Sequence, residues 1–288
     1  MNDSPDRDGA FAAPSFDRCG LASLSELESD RWRELWEHLL AEQDRFLAQE
    51  DSFRGAGYDW PRDALRNWSR VWEYPYVHHH IAAEIERLGR RARVVDVGSG
   101  VTFFPFVNAR LGCDVVCVDY DPVCIRDLEK AIAVVDAAPG TVSARKSDGT
   151  DVPVDDGSAD ILVSVSVLEH VDDKPALCAA MAKALRPGGL CVLTMDLDLR
   201  GDFEIDPGGR REILGVLDRY FEPAARVVGV HPRELLLSTN GPYGFAVPPA
   251  WSLMRFRAKQ WLRSVFGMGA KPLYPFELAV EAFVLRRR

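Results

Sequence analysis

The stretch "RVVDVGSGVTFFP", residues 93–105, decides the fold. Val94 to Val97 is β-branched apart from Asp96, as a buried strand favours. Gly98-Ser99-Gly100 then supplies a tight turn, and an apolar helical pattern follows. A strand, a glycine turn and a helix in that order form a junction that commonly holds a nucleotide. The dinucleotide pattern G-x-G-x-x-G is incomplete here, because Phe103 takes its third glycine position. The junction alone leaves open which nucleotide it serves.

Apolar strand patterns are predicted over Ala92–Val97, Val115–Val118, Thr141–Ala144, Ile161–Val165, Leu190–Met195 and Ala225–Val230. A last strand lies in the closing "FELAVEAFVLRRR". Helical spacing is predicted between most of them, over Pro122–Val135, Pro175–Leu185 and Arg210–Tyr220. Alternation of this kind implies a parallel sheet covered on both faces. The expected architecture is α/β: a Rossmann-like, seven-stranded, mostly parallel sheet with helices on both faces and an N-terminal helical cap. Residues 1–20, acidic and containing Pro and Ser, are expected as a disordered tail, and residues 21–90 as the cap. Ser23-x-x-Glu26 reads as a capping box. After it, Trp32, Leu35, Trp36, Leu39, Leu40, Phe46 and Leu47 recur at helical spacing. An aromatic cluster around Pro75 precedes a short helix expected to stop at Gly89. Residues 91–288 form the core, with a lid-like insert at about 235–276.

With 288 residues, 47% hydrophobic and 27% charged, the chain has an ordinary globular composition. A net charge of −9 argues against a nucleic-acid partner. No apolar run approaches the length of a membrane span, so a membrane partner is not expected. The first residues resemble neither a signal nor a transit peptide, and a cytoplasmic location is expected. The six cysteines match no zinc or iron–sulfur spacing, so no metal is expected.

Two acids narrow the choice of nucleotide. Asp119 closes "VVCVDYDP" 19 residues after Gly100, placed to accept from both ribose hydroxyls. Asp96 stands two residues before Gly98, where a carboxylate suits a bound cation better than a pyrophosphate. Asp148-Gly149 follow the third strand, and then come "VPVDDGSADILVSVSVLEHVDD" and "ALRPGGLCVLTMD". With these motifs in order, the sequence resembles the class I S-adenosylmethionine-dependent methyltransferases, specifically the small-molecule type with the "LEH" signature, over about residues 70–200.

The resemblance implies S-adenosyl-L-methionine as cofactor and S-adenosyl-L-homocysteine as product. It implies that Asp96, Gly98 and Gly100 hold the methionine part, with Asp96 near its amino group. Asp119 would take the ribose, Asp148 the adenine amine, and Gly149 would shape the adenine slot. Tyr120, Ser164 and Arg70 are further cofactor-binding candidates, Arg70 by pairing with the cofactor carboxylate. Thr102 stands where the family continues with a third glycine. Taken singly, each motif also reads as a plain turn or helix end. No Tyr-x-x-x-Lys pair supports a dehydrogenase.

Methyl transfer needs alignment of nucleophile, methyl and sulfur, and a base where the acceptor is protonated. His170, with Glu169 beside it, is the first candidate for that base, and His79 from the cap is the second. The opposing reading has Glu169 and His170 merely ending a strand. Three consecutive histidines, His78 to His80, diverge around a helix and cannot converge on one metal. Arg70, Trp72, Tyr74 and Tyr76 could close over the cofactor, or pack cap to core. Asp196 and Asp198 could face the acceptor, or lie in a surface turn. The position that carries Asn/Asp-Pro-Pro-Tyr/Phe in base-methylating enzymes reads "SVSV" here.

The insert has no acidic residue from Leu235 to Phe276, while Arg255, Arg257, Lys259, Arg263 and Lys271 interleave with Trp251, Met254, Phe256, Trp261 and Phe266. It reads as an acceptor site for an anionic apolar compound, a docking face for an acidic carrier protein, a membrane-surface helix, or an ordinary amphipathic helix. The expected function is O- or N-methylation of a small-molecule acceptor in specialised metabolism. A peptide or carrier-protein methyltransferase, or a non-catalytic cofactor-binding module, stands behind it.

Overall fold

Val94 and Val95, neighbours in the strand before the glycine turn, enter opposite hydrophobic layers. That follows from the two-residue period of a strand, and both faces are apolar because both are covered. The computed structural model describes residues 15–199, 205–246, 249–265 and 277–288. In chain order the elements are β1 (Arg18–Leu21), α1 (Asp30–Leu47), α2 (Glu50–Phe53), α3 (Arg70–Leu88), β2 (Arg93–Val97), α4 (Phe104–Ala109), β3 (Asp114–Asp119), α5 (Pro122–Val134) and β4 (Thr141–Lys146). There follow β5 (Ala159–Val165), α6 (Lys174–Ala184), β6 (Leu185–Asp198), α7 (Pro207–Tyr220), β7 (Phe221–Pro223), β8 (Arg226–Val227), α8 (Ala250–Val265) and β9 (Leu278–Arg287).

The strands form one sheet in the order β4-β3-β2-β5-β6-β9-β1-β8, with β7 also paired to β9. Strands β2 to β6 are mutually parallel, and β9 runs antiparallel to β6. The sheet therefore has nine strands where seven were expected. The first extra strand, β1, straddles the boundary between the expected disordered tail and the expected cap. Its four residues carry no alternation, and Gly20 sits at φ +121°. Strand character comes from its partners: β1 pairs with β9 on one side and β8 on the other. The second extra strand, β7, is three residues long and turns directly out of α7. The expected strand at Ala225–Val230 shrinks to the two residues of β8. Residues 1–14 of the expected tail lie outside the described residues.

The expected cap is therefore bound into the sheet and one of its covering layers. Arg18 on β1 makes a paired contact with buried Glu26, at 2.9 and 2.7 Å. Glu26 also accepts from the Ser23 backbone N–H, one half of the expected capping box, and from the Trp72 indole at 2.8 Å. Four donors on one buried carboxylate lock β1, the turn before α1, and α3 together.

Helix α3 departs from expectation by running 19 residues straight through Pro75, before ending on Gly89 at φ +61°. Proline has no N–H, so the Val71 carbonyl one turn earlier loses its helical donor. The indole of Trp32 on α1 supplies the missing bond, at 2.9 Å. The sequence pattern cannot reveal this, because the compensation comes from another helix. Trp32→Phe keeps the ring's packing but orphans that carbonyl. It is expected to lower the unfolding free energy by about 1–2 kcal/mol in urea denaturation, and an unchanged midpoint would show that the carbonyl does not depend on Trp32.

Candidate active site

The chain leaves β2 toward β3 and β4, then returns to the other side of β2 with β5, so strand order reverses between β2 and β5. Ligands of open α/β sheets bind beyond the strand ends at such a point. A cleft of about 1200 Å³, its open mouth included, lies there. Asp96, Gly98 and Gly100 line it from the β2 side, Asp119 and Tyr120 from β3, Gly149 from β4, and Ser166, Val167 and His170 from β5. Arg70 and Tyr74 of α3, with Tyr58, Trp60 and Asn67 from the segment before it, form the facing wall.

The glycine turn is set by space as much as by dihedral angle. Gly98 has φ +72°, and a Cβ there would come 2.3 Å from a methyl of Val167. Its N–H donates to the Val118 carbonyl at 2.7 Å, which ties the turn to β3. At Gly100, φ is +55° and the space above is open. The N–H of Gly100 donates to the Asp119 carboxylate at 2.9 Å, and the Asp121 N–H donates to the other oxygen of Asp119 at 2.9 Å. Each oxygen keeps a lone pair for a ligand. Phe103, the residue in place of a third glycine, is buried against Tyr74 with ring centroids 5.7 Å apart.

Two buried carboxylates share this end of the sheet. Burial pushes the Asp96 carboxyl up to about 7, and the nearby Asp119 adds to the rise. Burial likewise raises Asp119, while its backbone donors work against the rise. Asp119 is anchored by those donors, whereas the hydrogen bonds described include none to the Asp96 carboxylate. A buried acid without donors, facing a cleft, suits a cationic ligand. The pair and the open space over Gly100 fit a sulfonium cofactor with an amino group.

Behind the wall lies a polar cluster that the motifs did not reveal. Glu73, fully buried, accepts from Ser166 Oγ at 2.7 Å, and also from Thr194 and Arg70. Arg70 also donates to Ser166 at 2.7 Å. Ser166 sits at φ +47°, unusual for a residue with a side chain, and this polar cluster holds it there. The positive φ of a serine has no local sequence signature, so only the assembled strands expose it.

The structure divides the expected site residues. Asp96, Gly98, Gly100, Asp119, Tyr120, Gly149, Arg70 and His170 all line the cleft. Asp148 does not: it is exposed, and its carboxylate accepts from Thr150 and Asp151 in its own turn. Ser164 is wholly buried within β5, away from the cleft lining. Glu169 points to the other side of the loop, into a second cavity beside α6 and α7, and accepts from the Asp196 N–H at 3.2 Å. Burial raises its carboxyl to about 8, with Glu73 contributing. His79 is remote from the cleft: Arg31 donates to its Nδ1, and its Nε2 donates to Asp17 at 2.8 Å. His78 and His80 each bond elsewhere, to Asn108 and to the Phe16 carbonyl, and burial lowers both to about 4. Trp72 and Tyr76 point into the core, where they stack at 4.5 Å, so of the aromatic trio only Tyr74 reaches the cleft. Asp196 and Asp198 lie outside the cleft lining. His170, tilted against Trp60 at 6.2 Å, has its pKa lowered by partial burial and by Arg70 and Lys174, which leaves it neutral and able to accept a proton.

Part of the chain is similar to known methyltransferases. Residues 95–193 match the methyltransferase domain family. Over that segment the chain is similar to a methyltransferase domain. An uncharacterized methyltransferase of Mycobacterium sp. (strain JLS) is 39% identical over 130 residues, 44% of this chain and 48% of the relative. One from Mycolicibacterium gilvum is 35% identical over 181 residues, 63% of this chain and 64% of the relative. A ubiquinone biosynthesis O-methyltransferase of Cereibacter sphaeroides is 31% identical over 123 residues, 41% of this chain and 49% of the relative. The chain thus spans about half the length of most of these relatives. Among solved structures, magnesium protoporphyrin IX methyltransferase from Synechocystis PCC 6803 aligns over 90% of this chain and 98% of its own, at TM-score 0.47 and 12% identity.

Because folding lifts Asp96 from the ordinary carboxylate range to about 7, its stabilising protonated form is lost as pH rises through that value. Without ligand, Asp96→Asn is expected to raise Tm at about pH 8 and to change it little at about pH 4.5. Thermal unfolding measures both, and equal effects at the two pH values would show that Asp96 is not held protonated.

Proposed function

We propose that this protein transfers the methyl group of S-adenosylmethionine to an oxygen or nitrogen of a small-molecule acceptor. The observation that carries the reading is the cleft itself: a glycine turn between two buried carboxylates, walled by aromatic residues of the segment before α3. When bound, the cofactor supplies an electrophilic methyl on a positively charged sulfur.

The residues of the chain do the rest. Asp119, already oriented by two backbone donors, receives the ribose hydroxyls. Asp96 offsets the cofactor's positive charge, and its own ionisation is favoured as that charge arrives. Arg70, fixed by Glu73 and Ser166, pairs with the cofactor carboxylate. Tyr120 and Gly149 bound the adenine slot; Asp148 reaches the adenine amine only by giving up contacts in its own turn. Tyr58, Trp60, Pro61 and Ala64 exclude water and hold an apolar, planar acceptor against the methyl. His170, neutral at the cleft mouth, accepts the acceptor's proton. The name of the Cereibacter relative favours an oxygen acceptor.

Calorimetric titration with S-adenosylhomocysteine, followed by methylation assays on phenol, carboxylate and amine acceptors, tests the reading. Binding without turnover on any class would favour a non-catalytic module, and no binding would overturn the assignment of the cleft. Asp119→Ala is expected to weaken S-adenosylhomocysteine at least tenfold, through loss of paired hydrogen bonds worth roughly 1.5–3 kcal/mol. His170→Gln is expected to lower kcat at least about tenfold while leaving that affinity unchanged; equal kcat would remove His170 from the proton's path.

A further inference from the structure

The insert between β8 and β9 begins firmly attached. The Leu236 N–H donates to the Ala22 carbonyl at 3.0 Å, and Tyr243 stacks on Trp36 at 5.9 Å. Phe245 meets Trp68, next to the cleft-lining Asn67. The chain then enters α8, whose orientation is the reverse of an ordinary surface helix. Phe266 and Lys271 lie outside the described residues.

Trp251, Met254, Ala258 and Trp261 are spaced by three, four and three residues, which puts them on one face of the helix. That face is turned to solvent: Trp251 is 62% exposed, Met254 70% and Trp261 67%. Phe256, on the other side, is the half-buried one. At about 100° per residue, Arg257 flanks one edge of the apolar stripe, and Arg255 and Lys259 flank the other. All three are exposed, and the Arg255 guanidinium lies 5.9 Å from the centre of the Trp251 ring. No acid occurs from Leu235 to Phe276, in a chain whose net charge is −9.

A soluble helix ordinarily hides its apolar stripe, and an exposed patch of two tryptophans and a methionine marks an interaction surface. The charges select that occupant. A second copy would bring Arg255, Arg257 and Lys259 against their own counterparts, like charge on like. Cations on both edges of a flat apolar stripe match a plane of anionic headgroups, with their aliphatic stems lying along the apolar layer. We propose that α8 is an in-plane anchor, laying Trp251, Met254 and Trp261 into the headgroup boundary of an anionic lipid bilayer. No helix among the described residues is long and apolar enough to cross a membrane, so this contact lies on the surface. It goes beyond the proposed methyl transfer and does not depend on it.

The test uses the full chain with vesicles of phosphatidylglycerol and of phosphatidylcholine, read by co-sedimentation and tryptophan emission. Binding to the anionic vesicles is expected to exceed binding to the neutral ones at least about tenfold, with a blue shift in emission and weakening by salt. Arg255→Glu, Arg257→Glu and Lys259→Glu together are expected to reduce that binding at least about tenfold. Trp251→Ala with Trp261→Ala is expected to abolish the blue shift. In both variants S-adenosylhomocysteine affinity, which reports the fold and the cleft separately, is expected to stay unchanged. Equal binding to both vesicles, none to either, or insensitivity to charge reversal would overturn the proposal. So would a dimer in sedimentation velocity that Trp251→Ala dissociates, since the face would then belong to a second copy.

Discussion

The site depends on one close approach, that of the Gly98 backbone to Val167. Two neighbouring parallel strands, β2 and β5, end side by side, and the loops leaving them must pass each other within a methyl's width. Only a residue without a Cβ permits this. The turn is then held from its other flank by β3, through the Val118 carbonyl and the Asp119 carboxylate. Three strand ends thus converge on three residues, and the open space above Gly100 is what that convergence leaves.

The same convergence explains the electrostatics. Asp96, one residue from the end of β2, pairs in register with Cys117, and Asp119 ends β3 two residues further on, so both carboxylates lie at the same end of the sheet. Asp119 is compensated by backbone donors, whereas Asp96 has burial and a like charge acting on it. A site that disfavours its own negative charge when free gains most from a positively charged ligand. Arg70, on the facing helix, is held at the cleft wall by Glu73 and Ser166.

Much of the remaining structure serves to bring α3 to that wall. Pro75 interrupts its hydrogen-bond ladder, Trp32 repairs it, and Glu26 fastens Trp72 and β1 to the same helix. Trp72 and Tyr76 face the core, and Arg70 and Tyr74 face the cleft. One helix thus carries both core-packing and cleft-facing side chains, and with Tyr58, Trp60 and Asn67 before it makes the expected cap a wall of the cleft.

Local pattern was enough for the parallel core and for the residues that line the cleft at the strand ends. Strands β2 to β6 announce themselves by β-branched runs, and glycines and acids at strand ends are local features whose meaning follows from the α/β topology. Asp96, Gly98, Gly100, Asp119, Tyr120 and Gly149 were legible for that reason. Whatever depends on contacts between distant segments was not legible. Strand β1 exists because β9 and β8 flank it, and α3 passes Pro75 because α1 donates to it. His79 and Glu169 look chemically apt in one dimension, but helix phase and loop direction turn them away from the cleft. Asp148 satisfies its own turn instead. Residue order sets which side chains stand at the strand ends. Which of them face one another is fixed by the assembled fold, because direction in space is set by packing and not by residue type.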